Sequence, residues 1–242
     1  MIRSLPFAVC LALAPLVPVQ AAGPLAPSGA PADAFPKPDR PVAEIVAPQW
    51  TAEAERDKDG EFKTVARALH IAPGETVADI GAGSGYYVVR LSPLVGETGK
   101  VLAEDVTPAY LASLERRVKG MDNVTVVRGE PHDPRLPANS VDAVVLVHMY
   151  HEITQPFGLL YNLAPAMRPG GRVGIVDAND IPSRHGTPPA LLRCELSAAG
   201  YRETGFHPLK DGVYLAVFEA PSPENRPKPE AIRPCRDTAT AR

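Results

Sequence analysis

The 242-residue chain lacks an excess of charge of either sign, and it has few cysteines and few aromatic residues. Its 25 Lys and Arg residues against 28 Asp and Glu residues give a formal net charge of −3, so no surplus of positive charge is available to neutralise a phosphate backbone. Nucleic acid is therefore not an expected partner. Three cysteines without a CxxC pair exclude the common cysteine-based zinc sites, and the apolar share of 45% is that of an ordinary globular domain.

Proline, by contrast, is abundant and concentrated at the two ends of the chain. Residues 1–50 hold ten of the 28 prolines and residues 221–242 hold five. Because proline lacks a backbone N–H and fixes its φ angle, segments rich in it favour extended or disordered conformations. We therefore expect a proline-rich linker over residues 22–50, a folded domain over residues 51–220 and a disordered tail over residues 221–242.

Residues 1–21 have the pattern of a secretory signal peptide. Arg3 precedes an apolar stretch over residues 5–19, and the small-residue sequence VQA at residues 19–21 is a cleavage signature. The apolar stretch is shorter than the roughly 20 residues that a bilayer-spanning helix needs, and Pro15 and Pro18 interrupt it. We expect export to the periplasm or the medium, with no transmembrane anchor after cleavage.

If the chain is exported, the state of its remaining cysteines depends on whether they can form a disulfide. Removal of the signal peptide would take Cys10 with it and leave Cys194 and Cys235. These two could pair in an oxidising compartment, but one falls in a predicted helix and the other in the proline-rich tail. We therefore expect two unpaired thiols. The sequence carries no feature that predicts an oligomeric state.

Between residues 62 and 219, apolar spacing typical of helices alternates with short runs typical of strands. The predicted strands are residues 76–80, 100–105, 124–128, 141–147, 172–177, 201–206 and 213–219. The predicted helices are residues 62–69, 108–119, 156–167 and 189–199. This alternation predicts an α/β domain whose mostly parallel sheet has helices on both faces and an antiparallel strand near one edge.

The first predicted strand ends in an acid and three glycines at alternate positions, in the order Asp79-Ile80-Gly81-Ala82-Gly83-Ser84-Gly85-Tyr86. Ligands of such sheets bind beyond the carboxyl ends of the strands, where glycine lets the backbone approach closely. Tyr86 stands where a GxGxxG dinucleotide fingerprint needs its third glycine, and the chain has no GK[ST] phosphate loop. Nicotinamide and flavin cofactors are therefore disfavoured. An acid beside bare backbone better suits the charged amine of an amino-acid group.

The segment VADIGAGSGYY resembles motif I of the class I S-adenosylmethionine-dependent methyltransferases, and the likeness extends over residues 56–218. The resemblance implies a single Rossmann-like domain with a seven-stranded, mostly parallel sheet. It also implies S-adenosylmethionine as the cofactor and methyl transfer to an acceptor, a small molecule or another substrate, that the sequence does not identify.

Cofactor-binding residues follow from the same resemblance. It implies that the loop after the first strand holds the methionine part of the cofactor, through Asp79, Gly81, Ala82, Gly83, Ser84 and Gly85. An acid at the end of the second strand binds the ribose hydroxyls in this superfamily, and both Glu104 and Asp105 stand there. Because adjacent side chains of a strand point to opposite faces, we expect one of them to serve, and the family pattern favours Asp105.

The adenine pocket of this superfamily involves residues just after the third strand. The resemblance implies Glu130 and, with less weight, Asp133 as contacts. Pro131 departs from the commonest pattern because it has no backbone N–H to offer the adenine ring. His132 or Asp133 would have to supply that hydrogen bond, unless it is absent.

Four polar side chains follow the fourth predicted strand, namely His148, Tyr150, His151 and Glu152. The family fold brings this segment beside the transferable methyl group, so we predict that it orients the acceptor and removes its proton. His151 is the predicted base, since imidazole has an unperturbed pKa of about 6.5, with Tyr150 and Glu152 beside it and His148 packed on the cofactor side. The two histidines lack further ligands at a spacing such as HExxH, so no metal site is predicted.

Three other functions stay open on the sequence alone. A non-catalytic adenosyl-binding module would keep the glycine loop, and an aminopropyltransferase-like enzyme would share the fold and use a decarboxylated cofactor. A nicotinamide oxidoreductase is weakened by Tyr86. Export also conflicts with a cofactor that is made in the cytoplasm: the exported protein obtains it locally, or has lost catalysis, or the signal is not used.

Overall fold

The computed structural model describes residues 26–45 and 53–236. The predicted signal peptide lies outside the described residues. Within these two ranges, no helix has both the length and the apolar character that crossing a bilayer requires.

Seven strands of the described residues form one mostly parallel sheet. The strands are β1 Thr76–Ile80, β2 Lys100–Asp105, β3 Val124–Arg128, β4 Val141–Val147, β5 Met167–Ala178, β6 Arg202–Pro208 and β7 Val213–Glu219. The helices are α1 Glu53–Asp59, α2 Glu61–Ala68, α3 Val88–Val95, α4 Pro108–Arg117, α5 Pro156–Leu163 and α6 Pro189–Ala198. The strand order is β3-β2-β1-β4-β5-β7-β6, and β7 runs antiparallel to both of its neighbours. The predicted fold class is confirmed.

The central strands are buried on both faces of the sheet. In β1, Val77 packs in the apolar cluster that includes α2, α3 and α4, whereas Ala78 and Ile80 pack in the cluster that includes α5 and α6. In β4, Val144 and Val145 divide between the two clusters in the same way. All five side chains are at most 1% exposed. Burial on both faces explains why these strands read as continuous apolar runs rather than as alternating ones.

The order of the strands reverses between β1 and β4. These two strands pair in parallel, and β1 also pairs in parallel with β2 on its other side. The helices that follow β1 and β4 lie on opposite faces of the sheet, so the connections at the carboxyl ends diverge. Such a divergence opens a crevice in which ligands of α/β sheets bind.

Two helices end two or more residues earlier than the apolar pattern predicts. α4 ends at Arg117 rather than at residue 119, and α5 ends at Leu163 rather than at residue 167. Pro165 lies in the 3-10 turn after α5, and its missing N–H cannot continue an α-helix. β5 consequently begins at Met167 rather than at residue 172.

The proline-rich segments on both sides of the domain fold against it over residues 26–45 and 221–236. Ile232 is 3% exposed and packs with Phe35 and Phe157 in a small apolar cluster. The expectation of a disordered tail is therefore wrong for residues 221–236. Contacts between residues far apart in sequence offset the ordering entropy of this segment, and local composition does not reveal them.

A disulfide between Cys194 of α6 and Cys235 ties the C-terminal segment to the domain. Their Cα atoms are 6.0 Å apart, although 41 positions separate them in sequence. The expectation of two unpaired thiols is wrong, because the folded C-terminal segment brings Cys235 onto α6.

Cys235→Ser should lower the free energy of unfolding by about 2–4 kcal/mol, because a crosslink over a loop of this length restricts the unfolded chain. Cys194→Ser should have a similar effect, and the double variant should lose no more than either single variant, since each removes the same bond. Urea unfolding of the parent and the three variants measures these values. A parent protein that a thiol reductant does not destabilise would contradict this prediction.

Candidate functional site

A cavity of about 260 Å³ lies at the carboxyl ends of β1, β2 and β4, in the crevice where the strand order reverses. Most of the site residues predicted from the sequence line this cavity, namely Asp79, Gly81, Ala82, Gly83, Ser84, Asp105, Glu130, His148 and Glu152. The other predicted site residues, Gly85, Asp133, Tyr150 and His151, lie outside its lining.

The loop after β1 presents its backbone to the cavity because its glycines have left-handed backbone conformations. Gly81 has a φ of 69°, and a Cβ atom at this position would lie 2.8 Å from Met149 Cε. Gly85 has a φ of 82°, and a Cβ atom there would lie 2.6 Å from Leu114 Cδ1 of α4. Gly81 thus allows close approach of the segment after β4, whereas Gly85 allows the loop to pack on α4.

Two acids at the end of β2 bind the amide groups of this loop. Gly81 N–H donates to Glu104 Oε2 over 3.2 Å, and Gly83 N–H donates to Asp105 Oδ2 over 2.9 Å. Glu104 and Asp105 both line the cavity, so strand alternation does not turn one of them away from it, and the choice of Asp105 for the ribose stays a prediction. The reason is that Asp105 is the last residue of β2, where the pleat ends and no longer fixes the direction of the side chain.

The buried acids of the cavity resist ionisation. Burial raises the pKa of Asp79 to about 8, and the charge of Asp105 adds to this effect. Burial also raises the pKa of Glu104 well above its usual range, and the hydrogen bond from the Gly81 amide offsets part of that shift. Asp79 therefore holds its proton at neutral pH when no cation lies beside it, and burial disfavours the ionised form of Glu104 in the same way. A bound cationic group would favour their ionised forms.

The loop after β3 contributes Glu130 but not Asp133 to the cavity. Glu130 has a half-exposed side chain, whose Oε1 lies 3.2 Å from Arg135 Nη1. Asp133 is buried, and its Oδ2 accepts a hydrogen bond from Gly29 N–H over 2.7 Å. Contrary to the sequence expectation, Asp133 joins this loop to the N-terminal segment rather than facing a ligand.

Sequence reasoning missed Glu61 of α2, which fixes His148 at the side of the cavity. His148 Nε2 lies 2.8 Å from Glu61 Oε2, and Arg56 Nη2 lies 2.5 Å from Glu61 Oε1. Burial alone would raise the pKa of Glu61, but the hydrogen bonds and charges of His148 and Arg56 lower it to about 2. Glu61 is therefore a fixed anion. Its contact with His148 spans 87 positions, so no local pattern of residues indicates it.

The 3-10 turn after β4 directs Tyr150 and His151 into the protein and leaves Glu152 at the cavity. Tyr150 and His151 are both 0% exposed, and His151 Nδ1 lies 2.9 Å from Asp177 Oδ1 in β5. The guanidinium of Arg40 donates to the carbonyl oxygens of both residues, over 3.3 Å and 3.4 Å. Contrary to the sequence expectation, His151 does not face the cavity. Of the three predicted catalytic residues, Glu152 lines the cavity.

Part of the chain is similar to known methyltransferases. Residues 77–171 match a family model described as a methyltransferase domain. The curated ubiquinone/menaquinone biosynthesis C-methyltransferases UbiE of Salmonella arizonae and Salmonella newport are each 26% identical over 107 residues. These alignments cover 43% of this chain and 43% of each relative, so the chain matches less than half the length of these curated relatives.

Solved structures share the fold over most of the chain. A SAM-dependent methyltransferase from Aquifex aeolicus has a TM-score of 0.62 and 24% identity, over 70% of this chain and 98% of that one. A complex between the Haloferax volcanii Trm112 methyltransferase activator and a putative methyltransferase contains a chain with a TM-score of 0.59 and 19% identity, over 70% and 93%. A possible exported protein from Bordetella parapertussis has a TM-score of 0.56 and 15% identity, over 69% and 68%.

Asp79→Asn should make the free energy of unfolding less dependent on pH between about 4 and about 8. The pKa of Asp79 is higher in the folded protein, about 8, than its unperturbed value of 3.8, so its contribution to stability is fully present below pH about 4 and is lost as pH rises through about 8. Asparagine has nearly the same shape as aspartic acid but does not ionise. The free energy of unfolding of the variant should therefore not fall near pH 8 as that of the parent does. Urea unfolding without added ligand, at several pH values across this window, measures the difference.

Asp142→Asn is the matched control because it should change the pH dependence with the opposite sign. Although burial raises it, hydrogen bonds from Arg168 and the Thr76 amide hold the pKa of Asp142 below its usual value. Its contribution to stability is therefore present above the unfolded pKa and lost as pH falls. An Asp79→Asn protein whose stability varies with pH as steeply as that of the parent would show that Asp79 is not the group with the raised pKa.

Proposed function

Because the chain belongs to the class I S-adenosylmethionine-dependent methyltransferase superfamily, with S-adenosylmethionine as its cofactor, we propose that it transfers the methyl group of this cofactor to an acceptor bound in the same cavity. One observation carries the proposal. The glycine loop after β1, the acids ending β2 and the segment containing Glu152 after β4 converge on a single cavity. The cavity thus offers acids for a cationic amino-acid moiety and, in Glu152, a further carboxyl group for an acceptor.

The cofactor assignment follows the chemistry of the lining residues. Asp79 would face the ammonium group, since a cation there favours the ionised form of a carboxyl whose pKa is otherwise raised. Asp105 accepts from the amides of Gly83 and Thr107, and the second lone pair of each oxygen can accept from a ribose hydroxyl. Glu130 and Pro131 line the part of the cavity left for adenine.

At the acceptor end, Glu152 and His148 are the titratable groups of the segment after β4 that line the cavity. When bound, S-adenosylmethionine supplies an activated methyl group whose displacement leaves a neutral thioether, so alignment of the acceptor accounts for much of the rate. Positioning of this kind supplies roughly 7–11 kcal/mol in well-oriented reactions. Glu152 can accept the acceptor's proton, and His148, oriented by Glu61, can hold the acceptor.

Transfer of a labelled methyl group tests the proposed function. The full chain would be incubated with methyl-labelled S-adenosylmethionine and with two acceptor sources, a small-molecule extract and purified quinols. Quinols are included because the curated relatives are named for C-methylation in ubiquinone/menaquinone biosynthesis. We expect label in an acceptor and an equal amount of S-adenosylhomocysteine. Tight binding of S-adenosylhomocysteine without transfer to any acceptor would favour a non-catalytic adenosyl-binding module instead.

Asp105→Ala should weaken S-adenosylhomocysteine binding by about 1.5–3 kcal/mol, the usual worth of a charge-assisted hydrogen bond. Glu104→Gln should weaken it much less, because burial already disfavours the ionised form of Glu104 and glutamine can still accept from the Gly81 amide. Calorimetric titration of the parent and both variants measures the affinities. A larger loss at Glu104 would transfer the ribose-binding role to that residue.

We also propose that the protein is exported. The signal pattern of residues 1–21 supports export, and so does the Cys194–Cys235 disulfide, since such bonds persist mainly in oxidising compartments. A solved structure of the same fold is described as a possible exported protein from Bordetella parapertussis. An exported enzyme would have to acquire its cofactor outside the site of cofactor synthesis.

The mature chain should begin at Ala22 or close to it, and it should fractionate outside the cytoplasm. Sequencing the N-terminus of the native protein measures this, and native mass spectrometry of the same sample detects any retained adenosyl ligand. Ala21→Trp is a suitable control because a large residue at the cleavage site should block processing. Full-length protein with Met1 in the soluble cytoplasm would contradict export.

A further inference from the structure

A cluster of two histidines and one glutamate lies at the edge of the cavity, and the proposed chemistry uses the glutamate, Glu152, but neither histidine. We propose that His151, Glu152 and His185 form a binding site for a divalent transition-metal ion of the zinc type. One ligand atom from each residue lies within 4.8 Å of the other two. The cluster joins the 3-10 turn after β4 to the loop after β5, so it is assembled by the fold rather than by a sequence motif.

His151 has the arrangement of a preoriented metal ligand. Its ring is 0% exposed, and Nδ1 lies 2.9 Å and 3.1 Å from the two carboxylate oxygens of Asp177. A carboxylate in this position holds the proton on Nδ1 and leaves the lone pair on Nε2, as outer carboxylates do for metal-bound histidines. His151 Nε2 is buried and has no hydrogen-bond partner among the described residues. A buried polar atom without a partner is costly, and a metal ion would satisfy it.

Asp177 is itself fixed in place. Thr187 Oγ1 donates to Asp177 Oδ2 over 2.7 Å, and Ala178 N–H donates to Oδ1 over 2.9 Å. These bonds keep the carboxylate directed at His151. The loop after β5 therefore supplies Thr187, which binds the Asp177 carboxylate, and His185, which brings a second imidazole.

His185 brings a second buried nitrogen to the cluster. Its Nδ1 is buried and has no hydrogen-bond partner in the part of the chain that the structure describes. The rings of His185 and His151 meet edge to face, with centroids 5.4 Å apart. His185 also has a φ of 57°, a left-handed conformation that is unfavourable for a residue with a side chain. Such local strain persists where the surroundings enforce it, often at ligand-binding positions.

Glu152 completes the donor set. Its Oε1 lies 3.9 Å from His151 Nε2, and its side chain is 14% exposed. Around a tetrahedral zinc ion with bonds of about 2.0–2.1 Å, neighbouring ligand atoms lie roughly 3–3.5 Å apart. Rotation of the partly exposed Glu152 side chain, with a smaller movement of the rings, would close the present separations. Because Glu152 also lines the cavity, the ion would lie at the cavity's edge.

The donor chemistry selects the class of metal. Two imidazoles and one carboxylate suit zinc and the neighbouring first-row ions, whereas magnesium and calcium prefer oxygen ligands alone. Three protein ligands leave at least one coordination position for water or a bound molecule. No metal site was predicted from the sequence because His148 and His151 lack further ligands at a spacing such as HExxH, and His185 lies far from both in the chain.

Titration of the chelator-treated full chain with Zn²⁺ tests the proposal without cofactor or acceptor, so its outcome is independent of the proposed methyl transfer. We expect one ion per chain, a rise in melting temperature with added Zn²⁺, and visible absorption bands when Co²⁺ replaces Zn²⁺. Mg²⁺ should produce no such rise. His185→Ala should weaken Zn²⁺ binding by more than about 100-fold, since loss of a ligand should exceed the roughly 10–100-fold effect of losing an outer partner.

Further variants separate a metal site from nonspecific histidine binding. Glu152→Gln should change the Co²⁺ absorption spectrum and weaken binding, and Asp177→Asn should weaken it by about 10–100-fold. His207→Ala, which removes an exposed histidine of β6, should leave the Zn²⁺ affinity unchanged. The melting temperature of each variant without metal shows whether it folds. Zn²⁺ affinity that His185→Ala does not reduce, or equal affinity for Mg²⁺, would overturn the proposal.

Discussion

The parallel pairing of β1 with β2 is the constraint on which the cavity depends. It sets Ile80 beside Glu104, so the glycine loop leaves β1 directly against the acids that end β2. Ala82 N–H donates to the Glu104 carbonyl oxygen over 2.8 Å, while the amides of Gly81 and Gly83 donate to the carboxyl groups of β2. These bonds hold the loop in one conformation. A shift of the register by one residue would exchange the side chains of β2 that meet the loop.

The sheet could be predicted from the sequence because its signals are local. The bounds of β1 agree with its short apolar run, and the turn after it is marked by glycines. The terminal segments could not be predicted in the same way. Their proline content favours extended conformations in the absence of other contacts. The C-terminal segment is ordered by the burial of Ile232 and by the Cys194–Cys235 bond, and both join distant parts of the sequence.

In the candidate site, too, the features with a local sequence signal could be predicted and those set by distant contacts could not. The position of the glycine loop at the cavity could be predicted because the loop directly follows a strand, whereas Asp105 was favoured by the family pattern and not by strand alternation. The directions of Tyr150 and His151 could not be predicted, because Arg40, from the predicted linker, binds their carbonyl oxygens and is itself held by a buried ion pair with Glu195. Nothing near residues 148–152 in the sequence records that contact. The segment was thus correctly placed at the cavity, while the individual side chains within it were not.

The buried acids of the cavity also bear on which ligands it would favour. Asp79, Glu104 and Asp105 meet at one end, and the nearby guanidinium of Arg56 is already paired with Glu61. A dinucleotide diphosphate placed there would add negative charge beside Asp79 and Glu104, whose ionisation burial already disfavours. A ligand carrying an ammonium and a sulfonium group has the opposite effect, because each positive charge favours the ionised acids and so recovers part of the energy lost in burying them. The acids that make the unliganded site difficult to ionise are therefore the same groups that would select S-adenosylmethionine over a nicotinamide cofactor.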